Sequence, residues 1–337
     1  MKRLLDKVLN LSGFEKVLTG FKDINLDELR PPGFQQLHNQ RWRSHKEKVD
    51  QRHGWREVNA CPVCQASGRE LEMERFGIEI WGCCNCGLLY CGRIPRDLSD
   101  VYAGEDYLAD AKNSYVDKMD YRKVRFGTER INLILSALGR GKGDGLRLLD
   151  VGCGTGWFLD CAREAGFEVA GHEPGEALRK WTEQRLNSRI WGCDFTELPA
   201  GETFDVITMF DVLEHIPDPL AYLRSAREHL RLKGLLIVFA PNVDSLGIHA
   251  IGVQASMIVP TDHLVYFSPS SFERTAAMGS LQILSIETKG MDIADIASWE
   301  EDKNPEVSAY LRENFSRLQP IVDAAGCANN MRIILTL

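Results

Sequence analysis

Cys61-Pro62-Val63-Cys64 and Cys83-Cys84-Asn85-Cys86 set four thiols as two C-x2-C pairs, eighteen residues apart. A metal ion held tetrahedrally by thiolates needs two close pairs on two turns, and Zn2+ is the ion this spacing suits. Four sulfur ligands leave no open position for water. The expected ion is therefore structural, replacing a core that about 40 residues cannot supply alone. Cys84 competes for the third position, but only Cys83 restores the two-residue gap to Cys86. Cys91, Cys153, Cys161, Cys193 and Cys327 are scattered and read as small buried residues.

A second constellation lies in Leu148-Leu149-Asp150-Val151-Gly152-Cys153-Gly154-Thr155-Gly156, where a buried strand runs into a loop with glycine at every second position. A helix is expected from Trp157. Backbone without Cβ lets a ligand approach such a strand-to-helix turn closely. A dinucleotide site would want G-x-G-x-x-G; here the spacing is G-x-G-x-G and Asp150 stands beside it. A carboxylate there repels phosphate and attracts an ammonium or a sulfonium. The next strand, Phe167–His172, delivers Glu173, which suits the two hydroxyls of a ribose. Asp194-Phe195 follows the third strand as an acceptor for an adenine amino group and an aromatic face beside the ring.

In this order, on consecutive strand ends, the set resembles the class I S-adenosylmethionine (SAM)-dependent methyltransferases over about residues 124–337. Phe204-Asp205-Val206-Ile207-Thr208-Met209-Phe210-Asp211-Val212-Leu213-Glu214-His215-Ile216 and Ala240-Pro241-Asn242 look like the fourth and fifth strand regions of the small-molecule branch. The resemblance implies an α/β fold, a Rossmann-like seven-stranded mostly parallel sheet, with SAM as cofactor. Implied cofactor contacts are Asp150, Gly152, Cys153, Gly154, Gly156, Glu173, Pro174, Asp194, Phe195 and Phe210, with Tyr102 and Tyr107 closing over the methionine end. One departure is Arg231-Leu232-Lys233-Gly234, where that branch has Lys-Pro-Gly-Gly, and an altered turn is expected there.

Cysteine pairs, a Tyr-rich segment and this sheet together are similar to a subgroup that includes sugar C-methyltransferases acting on nucleotide-linked deoxysugars. Its Tyr-x-Glu-His-x-x-Tyr-Phe-Ser-like stretch, in which a Glu-His pair serves substrate deprotonation, corresponds here to Pro260-Thr261-Asp262-His263-Leu264-Val265-Tyr266-Phe267-Ser268. The resemblance implies His263 as base with Asp262 beside it; the leading tyrosine is replaced by Pro260. His215, after the fourth strand, is the second candidate. The implied acceptor is a small molecule, a sugar or nucleotide-linked sugar, methylated on O or C. The rival readings are an rRNA or protein methyltransferase and a non-catalytic SAM-binding scaffold.

Positioning these residues takes alternating strands and helices, expected at Leu146–Val151, Phe167–His172, Arg189–Trp191, Phe204–Phe210, Leu235–Ala240, Leu281–Glu287 and Met331–Thr336. Ile131, Ile134, Leu135 and Leu138 recur at helical spacing before the first strand. Asn304-Pro305 opens a helix expected to carry Val307, Tyr310, Leu311, Phe315 and Leu318 on one face. The organisation expected is a helical arm over 1–57, a zinc-ribbon-like module over 58–97 and the methyltransferase domain over 98–337. The arm packs on the rest of the protein, on a second copy in a homodimer, or on a membrane surface.

With 44% apolar and 26% charged residues the 337-residue chain has the balance of a soluble globular protein. No signal peptide opens it and no run of about 18 apolar residues occurs, so no transmembrane segment and a cytoplasmic setting are expected. The net charge of −8 counts against a nucleic-acid partner; only the basic run Arg41–Arg56, with Trp42 and Trp55, speaks for one.

Overall fold

The computed structural model describes residues 24–52, 54–98 and 119–337. The expected arm up to residue 23, and Tyr102 and Tyr107, lie outside the described residues. In chain order the early strands are β1 (Trp55–Glu57), β2 (Arg69–Arg75), β3 (Ile78–Cys83), β4 (Leu89–Cys91) and β5 (Arg93–Pro95). Then come β6 (Arg147–Val151), β7 (Glu168–His172), β8 (Ile190–Trp191), β9 (Phe204–Phe210) and β10 (Leu230–Pro241). The last are β11 (Val265–Tyr266), β12 (Gln282–Thr288) and β13 (Asn330–Thr336).

Contacts divide the chain into two compact units, each assembled from separated stretches. The first holds the chain up to Arg96 with Ala240–Arg274 and Ile286–Arg332; the second holds Asp97–Phe239, Thr275–Ser285 and Ile333–Leu337.

In the first unit the helix Phe34–Arg52 follows Pro31-Pro32-Gly33, and a four-stranded sheet runs in the order β11-β4-β3-β2. Neighbours in this sheet pair antiparallel. In β3, Ile78 and Ile80 are fully buried while Glu79 between them is exposed, the period-two pattern of a strand with one face covered. One expectation fails here. The single helix from Pro305 is two, Pro305–Glu313 and Phe315–Ala324, broken at Asn314. The break turns the apolar residues apart, so Val307 and Tyr310 are exposed while Phe315 enters a core with Ile293, Ala294, Val322 and Ala328.

The second unit is organised by the seven-stranded sheet β12-β13-β10-β9-β6-β7-β8. β10–β9, β9–β6, β6–β7 and β7–β8 all pair parallel. Seven strands stand where seven were expected, six of them within one residue at each end. The exception is β10, which starts at Leu230 and not at Leu235 because its register shifts between those residues. The shift sits at the departure seen in the sequence: Lys233 has φ +66° and Leu232 is fully turned to solvent. From β6 the chain builds outward through β7 and β8 on one side, then returns to lay β9 and β10 on the other. This reversal opens a crevice beyond the carboxyl ends of β6 and β9, the place where sheets of this kind bind ligands.

Candidate active site and metal centre

β6 is apolar and buried from Leu148 to Val151, and it ends in the glycine loop. Gly152, Gly154 and Gly156 all adopt positive φ, at 71°, 53° and 71°. A Cβ on Gly156 would lie 2.6 Å from Leu186 Cδ1, and one on Gly152 would lie 2.7 Å from Val212 Cγ2. At Gly154 it would meet nothing within 4 Å. Two glycines are thus demanded by packing, whereas the middle one leaves open space above its backbone. The helix Trp157–Glu164 follows as expected, burying Trp157, Phe158, Cys161 and Ala162. Cys153 is buried, and its amide donates to the His172 carbonyl at 2.9 Å, tying the loop to the end of β7.

Two buried carboxyls flank this space. Asp150 accepts a hydrogen bond from the Thr208 hydroxyl at 2.6 Å. Glu173 accepts from the amides of Gly154 (3.1 Å) and Gly175 (2.9 Å), so it braces the loop. Burial pushes both up to about 7, well above the ordinary carboxylate range. Asp150 is eased back by the Thr208 hydroxyl and by the positive charge of Arg130. Pro174 is exposed beside Glu173, and its carbonyl accepts from Arg179 at 3.3 Å.

Arg130 escaped the sequence reading. It stands on the helix Thr128–Ala137, which follows a π-helical turn at Lys123–Gly127. Its guanidinium lies 4.1 Å from the centroid of the Phe210 ring, with Trp157 at 5.0 Å and Phe239 at 5.1 Å, and 3.7 Å from the Asp211 carboxylate. Phe210 is nearly buried, packed edge-on against Phe158 and Phe239. No sequence motif announces an arginine placed by helix packing.

Asp194 caps the short turn Phe195–Glu197, accepting from Thr196 N at 2.9 Å and Thr196 Oγ1 at 2.5 Å, while Tyr222 donates to its other oxygen at 3.4 Å. Phe195 is fully buried against His172, Tyr222 and His229. Its ring is core, so only its backbone edge is left to a ligand. His215 ends the turn Leu213–His215, its Nε2 4.0 Å from the buried Glu214 carboxylate. The second unit therefore gathers the described cofactor residues and His215. Asp262 and His263 belong to the first unit, where the His263 ring meets the Met257 carbonyl through Nδ1 at 2.8 Å. A carbonyl only accepts, so Nδ1 carries the proton and Nε2 is the basic nitrogen.

The sulfur atoms of Cys61, Cys64, Cys83 and Cys86 all lie within 4.8 Å of one another. Cys61 and Cys86 are 3.5 Å apart and Cys64 and Cys83 are 3.4 Å apart. The two turns are built alike. Gln65 N bonds Cys61 O and Gly87 N bonds Cys83 O, each at 2.9 Å, and Gln65 and Gly87 both take positive φ. Backbone amides of Val63 and Cys64 point at the Cys61 sulfur, and those of Asn85 and Cys86 at the Cys83 sulfur. The hydrogen bond between the Cys61 and Cys86 sulfurs brings the Cys86 thiol down to about 5. Cys84 is exposed and outside the cluster. Four converging sulfurs with amides aimed at them form a donor set suited to Zn2+.

Residues 121–284 match the family described as a methyltransferase domain. A ubiquinone biosynthesis O-methyltransferase of Cereibacter sphaeroides is 39% identical over 102 residues, 28% of this chain and 40% of that protein. The one from Parvibaculum lavamentivorans is 31% identical over 120 residues, 34% of this chain and 47% of its own length. The chain thus spans less than half the length of these relatives. Among solved structures, a sarcosine dimethylglycine methyltransferase from Galdieria sulphuraria aligns with a TM-score of 0.46 at 18% identity, covering 63% of this chain and 84% of that one. No described helix is long and apolar enough to cross a membrane.

Proposed function

We propose that the chain is a SAM-dependent methyltransferase acting on a small hydroxyl-bearing acceptor, a sugar or nucleotide-linked sugar in the first reading. The observation that carries it is the open space over Gly154 between two buried carboxyls on adjacent strand ends. Bound there, SAM supplies a methyl group on a sulfonium. Glu173 accepts from the ribose hydroxyls, and its two amide partners fix it for that task. Asp150 faces the ammonium side with its charge, and Arg130 offers the cation for a carboxylate. Asp194 takes the adenine edge. Pro174 and Cys153 contribute backbone to the walls.

His263 is the proposed base through Nε2, with Asp262 beside it and His215 as the alternative. It takes the acceptor's proton as the acceptor oxygen forms its bond to the methyl carbon. The relatives' names point to oxygen as the methylated atom. Zn2+ is assigned to Cys61, Cys64, Cys83 and Cys86 as a structural ion.

Calorimetric titration with SAM tests the reading. Asp150→Ala and Glu173→Ala are each expected to weaken SAM at least tenfold, and near-normal affinity in both would overturn the assignment. Tight SAM binding without S-adenosylhomocysteine from any acceptor would leave the non-catalytic scaffold.

A further inference from the structure

The helix Glu176–Leu186 buries Leu178, Thr182 and Leu186, a stripe at i, i+4 and i+8, and Asn187 in the left-handed region ends it. This face lies directly on the glycine loop. A Cβ on Gly156 would be 2.6 Å from Leu186 Cδ1, 2.8 Å from Thr182 Cγ2 and 3.2 Å from Arg185 Nη2. Two side chains of the helix reach carbonyls of the loop. Thr182, wholly buried, donates its hydroxyl proton to the Gly154 carbonyl at 2.7 Å. Arg185 donates through Nη2 to the Thr155 carbonyl at 2.8 Å and through Nη1 to Asp160 at 2.7 Å, so both arms of its guanidinium are engaged. Asp160, on the helix Trp157–Glu164, also pairs with Lys123 at 2.7 Å.

The peptide groups of the loop are thereby committed before a ligand arrives. Gly154 gives its amide to Glu173 and its carbonyl to Thr182, while the Gly156 amide donates to the Cys153 carbonyl at 2.8 Å. None of these partners fills the space into which a Gly154 Cβ would point. Three glycines at positive φ stand within five residues here, and glycine has more backbone freedom to lose on ordering than any other residue. What holds the carbonyls therefore decides how much of the time such a loop keeps one shape. A chain whose competent form is only a fraction of the population binds its ligand weaker by that fraction.

We propose that Thr182 and Arg185 are positioning residues for the cofactor: they touch no ligand and act through the Gly154 and Thr155 carbonyls, keeping the glycine loop in its binding shape in the ligand-free chain. The assignment rests on the reading of this loop as the SAM site and adds what preorganises it. Three variants of the full chain test it: Thr182→Val keeps the shape and removes the hydroxyl, Thr182→Ser keeps the hydroxyl, and Arg185→Met removes the guanidinium. Calorimetry and stopped-flow mixing measure SAM and S-adenosylhomocysteine, and near-ultraviolet circular dichroism checks that each variant is folded at the assay temperature. Thr182→Val and Arg185→Met are each expected to raise the Kd for SAM at least fivefold, with the loss in the association rate, because a smaller competent fraction slows capture and leaves release unchanged. S-adenosylhomocysteine is expected to weaken by the same factor, since neither residue meets the sulfonium. Thr182→Ser is expected to bind SAM within twofold of the parent. Folded Thr182→Val and Arg185→Met variants with SAM affinity within twofold of the parent overturn the proposal, as does a loss seated in the dissociation rate or one that serine does not restore. Should Thr182→Val fail to fold, Arg185→Met, whose side chain is partly exposed, decides by the same rates. Failure of the parent chain to bind SAM overturns instead the reading beneath it.

Discussion

Thr208 on β9 donates its hydroxyl proton to Asp150 on the neighbouring β6 at 2.6 Å, in a layer of the sheet where both side chains are almost completely buried. Burial outweighs that hydrogen bond and leaves the carboxyl at about 7. An acid whose folded pKa is raised binds its proton more tightly in the native state. Stability from this group is therefore full below about pH 4 and is lost as pH rises towards 7. With the carboxyl raised from its ordinary value to about 7, ionising Asp150 in the folded protein costs on the order of 4 kcal/mol. Asp150→Asn keeps an oxygen for Thr208 and removes the charge. It is expected to raise the melting temperature of the ligand-free protein at pH 8, to leave it unchanged at pH 4, and to weaken SAM. A variant that melts below the parent at pH 8 contradicts the account.

The glycine loop gives a prediction that separates packing from binding. All three glycines hold positive φ, but only at Gly152 and Gly156 does a Cβ run into a neighbour. Gly156→Ala must push on Leu186 and Thr182, so a loss of about 2–4 kcal/mol is expected in denaturant titration. Gly154→Ala bears only the backbone strain, about 1 kcal/mol, yet places a methyl where the cofactor is proposed to lie. The expected pattern is a stable, poorly binding Gly154 variant and an unstable Gly156 variant. Equal SAM affinity for Gly154→Ala and parent protein would remove the cofactor from that space.

The seven strands were legible because a parallel sheet buried on both faces leaves near-continuous apolar runs such as Leu148-Leu149 and Val206-Ile207, and glycines mark the ends. The thiolate cluster was legible from spacing alone, since two x2 turns are the same local structure twice. Other features depend on packing between distant segments, which no local pattern records. Arg130 reaches Phe210 only because its helix lies against the strand ends. Phe195 looked like a ligand face and is core, because Tyr222 and His229 on the helix Pro219–His229 enclose it. The break at Asn314 had no proline or glycine to announce it.

Metal content gives a third test. Removing one of four thiolates leaves three ligands and one buried neighbour without its partner, so Cys61→Ser is expected to release most of the zinc by elemental analysis and to lower the melting temperature of the chain. Cys84→Ser, in the exposed adjacent position, is expected to keep full metal content. Loss of zinc in Cys84→Ser with retention in Cys61→Ser would reverse the ligand assignment.

His263 provides the test of chemistry as distinct from binding. Its Nδ1 proton is committed to the Met257 carbonyl, which fixes the tautomer and leaves Nε2 as the nitrogen able to take a proton. A general base typically contributes 10²–10⁴-fold, so His263→Ala is expected to lower turnover by at least about 100-fold while SAM affinity stays within twofold. The tautomer argument sharpens this. His263→Asn retains a group able to donate to the Met257 carbonyl but has no basic nitrogen, so it should fold like the parent and be as slow as the alanine variant. Recovery of turnover in the alanine variant by added imidazole, rising with pH through the imidazole range, would identify proton removal as the missing step. Unchanged turnover in both variants would transfer the role to His215, where the same pair of substitutions would then be expected to show the loss.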